Sequence, residues 1–342
     1  MNLSLHQILR SSFIALILFA QSAIARDLPE VHGINVADID RNVKPGDNFY
    51  EYAIGQWMKS AQIPADRGSV GILQTTFDNG NKRMADLIEE LSKSNAPAGS
   101  EQRKIADLFK SYMDESIIES RGIAPLKPHL DSINAIQNKH QLAHALGETL
   151  RSDTDALNNT NFYTPNLFGL WVAPGFSDSD HYIGYLMQGG LEMPDREYYL
   201  SDSEKMKQIR AKYQAHISAM LKLAGFTDTE ARAARVFNLE HAIAEKHLSL
   251  ADSLDIRKAN NLWTISEIKS KAPGLDWAEY FRGAGLTNQK QLMIWQPTAI
   301  AAESALVEST PLQDWKDWMA FHLVENYAGV LPKSLADERF AF

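Results

Sequence analysis

The sequence contains no cysteine. Disulfides, a thiol nucleophile, thiolate metal sites and a lipid-anchored cysteine are therefore excluded, and the fold has to be held by its core. There is no long run of Lys and Arg: 34 basic residues stand against 43 acidic ones, for a net charge of −9. That balance excludes nucleic acid as a partner, which needs a clustered positive surface. It suits a soluble, mildly acidic surface. Internal repeats and low-complexity tracts are missing too. Three catalytic signatures are absent: H-E-x-x-H, a Gly-x-Ser-x-Gly elbow, and a G-x-x-x-x-G-K loop, which Gly189-Gly190 does not begin.

What is present is a globular chain of 342 residues, 44% hydrophobic and 23% charged, enough for one large domain or two smaller ones. The first 25 residues read as an export signal. Arg10 supplies a positive start, Ser11 to Ala20 is an apolar stretch too short to span a bilayer comfortably, and Ala23-Ile24-Ala25 fits the small-x-small cleavage rule. The mature chain then begins at Arg26 or Asp27, and the alternative is a retained N-terminal anchor. No later segment is apolar enough to cross a membrane. Export without disulfides fits a bacterial periplasmic or secreted protein.

Helical stripes dominate the rest of the chain. Met84, Leu87, Ile88 and Leu91 recur at helical spacing, as do Ile105, Leu108, Phe109 and Tyr112. Asn138 with Gln141 predicts a helix start, with Leu142, Leu146 and Leu150 on one face. Leu167 to Ala173 and His181 to Gln188 are short, aromatic and β-branched, and read as a β-hairpin. A stripe of Met206, Ile209, Tyr213, Ile217 and Leu221 ends at Gly225. Thr227 with Glu230, Thr264 with Glu267, and Thr310-Pro311 with Gln313 predict capped helix starts. The last of these opens a helix that turns Trp315, Trp318, Met319, His322 and Leu323 inward. The chain ends on Phe340-Ala341-Phe342, which reads as a break inside a longer polypeptide.

Candidate chemistry is sparse. His140 and His144 lie one turn apart, with Glu148 a further turn on, the spacing of a metal-binding helix. Gln141, however, stands where a general-base glutamate belongs, and an amide cannot take a proton from water. The reading is an exposed amphipathic helix. His241, Glu245 and His247 lack ligand spacing, because six residues turn the two imidazoles apart. Asp178 and Asp180 read as a hairpin turn, since the later glycine and glutamate of a calcium loop are missing. Phe49, Tyr50, Tyr52 and Trp57 read as a packing cluster.

Several blocks together resemble the neprilysin and endothelin-converting-enzyme family of zinc endopeptidases. They are Pro45 to Trp57 (PGDNFYEYAIGQW), Ile63-Pro64-Ala65-Asp66, Gly189 to Leu200 (GGLEMPDREYYL), and Leu239 to Trp277 with Asn261, Ala272-Pro273 and Asp276-Trp277. Trp315 to Tyr327 and Asp337 to Phe342 complete the set, so the resemblance runs from Val36 to the end. Two positions depart from the family pattern: Ile54 stands at an asparagine position, and Leu254-Asp255 replaces an Arg-Asp pair.

The resemblance implies a mainly α fold: a large helical cap domain with a short β-hairpin, incomplete at its C-terminus. It implies a signal peptide over 1–25, a segment over 26–95 that packs on an absent thermolysin-like catalytic domain, and a truncated cap over 96–342. The whole enzyme would use zinc to hydrolyse peptides; this chain, lacking the zinc motif, would bind none and be inactive alone. Its partners would be peptide substrates and its own C-terminal catalytic domain. No catalytic or metal residue carries over. Arg67 stands near the arginines that in some relatives hold the carboxyl end of short peptides, and is the one substrate-contact candidate. The alternative is a stand-alone, non-catalytic helical peptide-binding protein of the same descent. A two-lobed solute-binding protein ranks lower, since one hairpin among many helices does not make two α/β lobes.

Overall fold

The computed structural model describes residues 33–65, 67–150 and 163–342. The proposed export signal lies outside the described residues. The chain divides into two compact units, Met1–Ala106 and Asp107–Phe342.

In the first unit, a 3-10 turn at Val36–Asp38 precedes α1 (Phe49–Ser60) and α2 (Ile72–Lys93). Asn48 caps α1, accepting the Glu51 N–H at 3.1 Å. Asp40 is buried against this helix: its N–H donates to the Tyr52 carbonyl and its carboxylate takes Lys59 Nζ at 2.5 Å. The approach requires Gly55, where a Cβ would stand 2.8 Å from that of Asp40. The predicted aromatic cluster forms only in part: the Phe49 and Tyr52 rings lie 6.3 Å apart, and Tyr52 and Trp57 are half-buried. Phe49 and Tyr50 point to solvent, 70% and 64% exposed, because the helix buries its opposite side against Asp40. The α2 stripe falls where its spacing predicts, yet no residue of α2 is buried. Leu73 and Phe77 are 85% and 64% exposed.

α3 (Glu101–Met113) crosses the boundary between the units. The second unit continues with α4 (Glu115–Arg121), α5 (Lys127–Asn134) and α6 (Lys139–Glu148), then strands β1 (Phe168–Pro174) and β2 (Tyr182–Gln188). After these come α7 (Glu197–Leu200), α8 (Glu204–Leu223), α9 (Thr229–Lys246), α10 (Leu250–Ser253) and α11 (Ile256–Ala259). β3 (Leu262–Thr264), α12 (Ile265–Lys271), α13 (Trp277–Gly283) and β4 (Gln291–Ile294) lead into α14 (Pro297–Ser309), α15 (Leu312–Tyr327) and α16 (Lys333–Ala341). The fold is mainly α, as the resemblance implies.

The expected hairpin is present, paired from Phe168↔Gln188 to Pro174↔Tyr182. It is half of a four-stranded sheet ordered β1-β2-β4-β3. β2 and β4 run parallel through Tyr185↔Met293 and Leu186↔Ile294, and β3 returns antiparallel to β4. Alternation sorts the two faces. Leu170, Leu186, Leu292 and Ile294 join the main core, while Tyr185, Met187, Met293 and Trp295 form a second cluster with Trp171. Trp171 stacks on Tyr185 at 5.2 Å.

The main core is filled by α8, α9 and α15, with Tyr213, Ile217, Val236, Ile243, Trp315, Trp318 and Phe321 all buried. Full burial of each such side chain contributes about 1.5–3 kcal/mol. Two predicted helix starts need correction. α9 begins at Thr229 behind Asp228, which sits in the left-handed region without a side-chain cap. Thr227 is not the cap, because the N-cap position falls one residue later, on Asp228. Thr310 does not cap α15, because its N–H still closes α14 on the Leu306 carbonyl and its own carbonyl accepts from Lys139. The Thr264–Glu267 capping box forms as its sequence predicts.

Candidate functional site

Arg67, the substrate-contact candidate, lies in the connection before α2. Its guanidinium forks onto Asp78 of that helix, Nη1 to Oδ2 at 2.6 Å and Nη2 to Oδ1 at 3.2 Å. The Arg67 pair and the Gln74 amide hold the Asp78 carboxyl below its ordinary range. A bidentate carboxylate fixes the plane of a guanidinium. The side chain is 34% exposed.

His140 and His144 share a face of α6, as their spacing requires, and that face meets α13. His140 Nδ1 lies 2.8 Å from Asp276, and its Nε2 is 3.3 Å from Glu279. His144 Nδ1 is 3.6 Å from the other Glu279 oxygen, while its Nε2 is 3.7 Å from Glu148. No sequence pattern singles out Glu279; it is far along the chain from both histidines, and only the helix crossing unites them. The Arg282 guanidinium caps the Glu279 carboxylate. A metal would have to displace this fixed cation, and Gln141 is engaged with the Gln137 N–H at 2.7 Å. Among the described residues no group of three or more His, Asp or Glu is arranged to hold a metal ion. The residues do not fit a zinc centre.

The remaining sequence candidates separate. His241 stays beside Glu245 at 3.7 Å, whereas His247 turns inward, with Nε2 2.8 Å from the Gly189 carbonyl. Burial pushes the His247 imidazole down to about 4, so it is neutral. Asp178 binds the His181 ring across the hairpin turn at 2.8 Å. An open pocket of about 480 Å³ lies at that end of the sheet, lined by Phe176, Tyr182, Asn260 and Met293 among others.

The segment Gly189–Leu200 is where buried polar chemistry concentrates. Gly190 takes φ +89, and its N–H donates to the Thr164 carbonyl. Tyr199 Oη accepts the Met193 N–H at 3.0 Å and donates to Glu240 Oε2 at 2.7 Å, and Tyr213 donates to the same oxygen at 2.7 Å. His322 Nε2 reaches Glu240 Oε1 at 2.9 Å, and its Nδ1 faces Glu192 at 3.1 Å. Burial opposes a charge on this imidazole, but the two carboxylates outweigh it and the group is pushed up to about 9. Burial and Glu240 together drive the phenols of Tyr199 and Tyr213 well above their ordinary value. Of these residues, sequence spacing turns His322 and Tyr213 inward. Glu192, Tyr198 and Tyr199 are visible in the sequence only as parts of a block.

The described residues form a largely helical fold with a small mixed sheet, and comparison with known proteins supplies its class. The family model described as peptidase family M13, covering its N-terminal region, matches residues 45–342. This chain belongs to peptidase family M13, a family of zinc metallopeptidases. It is 24% identical over 299 residues to mouse (Mus musculus) endothelin-converting enzyme-like 1, covering 84% of this chain and 38% of that protein. It is 21% identical over 314 residues to human endothelin-converting enzyme 1, covering 89% and 40%. Zinc metalloprotease Zmp1 of Mycobacterium tuberculosis superposes with a TM-score of 0.73 at 27% identity, covering 90% of this chain and 46% of Zmp1. PepO from Lactobacillus rhamnosis shares the fold at a TM-score of 0.61 and 18% identity. The chain thus spans less than half the length of these relatives. No helix among the described residues is long and apolar enough to cross a membrane.

Proposed function

We propose that this chain is the cap region of an exported M13 endopeptidase that hydrolyses peptides, and that its catalytic zinc belongs to polypeptide beyond residue 342. On this reading residues 1–25 direct export to the periplasm or beyond, 26–95 pack on the catalytic portion, and 96–342 form the helical cap. The chain by itself binds no zinc and cleaves nothing. Arg67, with its plane fixed by Asp78, contacts the carboxyl end of a bound peptide once the rest of the enzyme is in place.

The carrying observation is the family match over residues 45–342, joined to a helix, α2, that is amphipathic yet has no fully buried residue. A helix of 22 residues with Leu73, Phe77, Met84 and Leu87 all exposed is poorly accounted for unless another surface covers it. The endothelin-converting-enzyme relatives are more than twice as long as this chain, which supplies the polypeptide that could cover it.

The test is to read the gene past codon 342, express the longer product if there is one, and compare both forms on a quenched fluorogenic peptide. The proposal expects chelator-sensitive cleavage by the longer form only. An intact gene that stops after Phe342, with a purified product that binds peptides without cleaving them, would replace this reading by the stand-alone binding protein.

A further inference from the structure

We propose that His322 is a proton-held clasp for the segment Gly189–Arg196, and that this segment opens from the helical core when the clasp loses its proton.

Nε2 of the ring is 2.9 Å from a Glu240 oxygen and Nδ1 is 3.1 Å from a Glu192 oxygen. A neutral imidazole carries one N–H, so it can donate to one carboxylate and must turn a lone pair toward the other. Only the doubly protonated ring satisfies both. The two arms differ in quality. The Glu240 contact is an aligned hydrogen bond, and that carboxylate is fully buried and further fixed by Tyr199 and Tyr213. The Glu192 contact is an ion pair of similar length that is poorly aligned for a hydrogen bond, and Glu192 is 17% exposed. The segment arm is therefore the one that lets go.

The groups facing the ring account for its charge. Glu240 comes from α9 and Glu192 from the segment; Tyr199 of α7 and Tyr213 of α8 face the ring across Glu240. Tyr163 holds the Glu192 carbonyl from the chain before β1, at 2.5 Å. Along α15 itself, Trp318 and Phe321 pack on the ring, and Glu325 one turn on is engaged by His216 of α8 and Arg339 of α16. Among the described residues no other cation pairs with the two glutamates. With His322 charged, the two glutamates and the imidazolium leave one net negative charge; with it neutral, two buried carboxylates face each other across an uncharged ring. Repulsion and desolvation then favour moving Glu192 into water.

The direction follows from a raised folded-state value of about 9. The clasp is fully formed below the ordinary histidine value of about 6.5 and is lost as pH rises through about 9. Segment 189–196 is thus closed in neutral and mildly acidic surroundings and released by alkali, while the Glu240–Tyr199–Tyr213 triangle keeps α7, α8 and α9 together.

Amide hydrogen exchange with mass-spectrometric readout on the chain, at pH 6.5 and 9.5 and corrected for intrinsic exchange, tests this. Peptides covering 189–196 should exchange at least about tenfold faster at the higher pH, relative to peptides covering β1 and β2. His322→Gln, which donates but cannot be charged, should be open at both pH values. Should that variant not fold, Glu192→Gln removes the charge that a neutral ring would leave unpaired, and should hold the segment equally protected at pH 6.5 and 9.5. Histidine nitrogen shifts followed by NMR should show His322 doubly protonated at pH 7.5. A neutral ring at that pH, or segment exchange that ignores pH and the substitutions alike, would overturn the proposal.

Discussion

Gly147 and Gly283 bring the backbones of α6 and α13 into direct contact. A Cβ on Gly147 would overlap the Tyr280 carbonyl oxygen, and one on Gly283 would overlap the His144 carbonyl oxygen. Neither obstacle is a flexible side-chain tip, so the helices must separate to admit a methyl group. Gly147→Ala and Gly283→Ala should each destabilise by about 2–3 kcal/mol or more. Gly80, inside α2 with nothing within 4 Å of its would-be Cβ, is the control. Gly80→Ala should stabilise by roughly 0.5–1 kcal/mol, because glycine weakens a helix interior. Urea midpoints at constant slope measure all three.

Asp317 on α15 binds two arginines of α9: Arg232, and Arg235 at 2.6 Å. The carboxylate is 1% exposed while both arginines reach solvent. Loss of either arginine leaves the carboxylate paired; loss of the carboxylate leaves two cations side by side. Asp317→Asn should therefore cost about 2–3 kcal/mol, and Arg232→Ala or Arg235→Ala no more than about half of that. The double mutant Arg232→Ala/Arg235→Ala should exceed the sum of the singles, since it strands the buried charge. Chemical denaturation of the four variants decides it.

Long, strongly periodic helices are legible in the sequence, and so is the hairpin to within about one residue at its ends. Tyr213, Ile217 and Leu221 are buried where their spacing puts them, as are Leu142, Leu146 and Leu150. β3 and β4 are not legible, because three and four residues are too few to show alternation and their partners are distant in sequence. Capping signals mislead at Thr310, where one helix has not finished before the next begins. Amphipathicity predicts α2 but not that its apolar face is uncovered, since a stripe does not say what covers it. The Glu192–His322–Glu240 contact joins residues 82 or more positions apart, which no local pattern encodes.

Glu303 is fully buried in α14 with both carboxyl oxygens lacking a hydrogen-bond partner, and His247 Nε2 lies 3.4 Å away. Burial pushes its carboxyl well above the ordinary 4.5, so the folded chain binds this proton more tightly than the unfolded one. Stability should then fall as pH rises above 4.5, up to the folded-state value. Glu303→Gln keeps the shape without the titration. It should match the parent near pH 4.5 and exceed it at pH 8, in denaturation midpoints taken across that range. A variant equally destabilised at both ends would show that the carboxyl works as a charged group.

The uncovered face of α2 can be tested separately. Leu73→Asp and Phe77→Asp touch no core, so folding stability should move by no more than about 0.5 kcal/mol. The isolated chain should become less prone to self-association, because an exposed apolar face is an adhesive surface. In a longer form that carries the remaining polypeptide, the same substitutions should weaken the assembly and lower peptide cleavage. Light scattering on the isolated chain and turnover by the longer form measure the two effects.

Residues 26–342 alone, purified without metal and then supplied with one equivalent of zinc, should leave a quenched fluorogenic peptide uncut over hours and retain no zinc on dialysis. Chelator-sensitive hydrolysis by this chain, abolished by His140→Ala or His144→Ala, would contradict the account by placing the metal chemistry here.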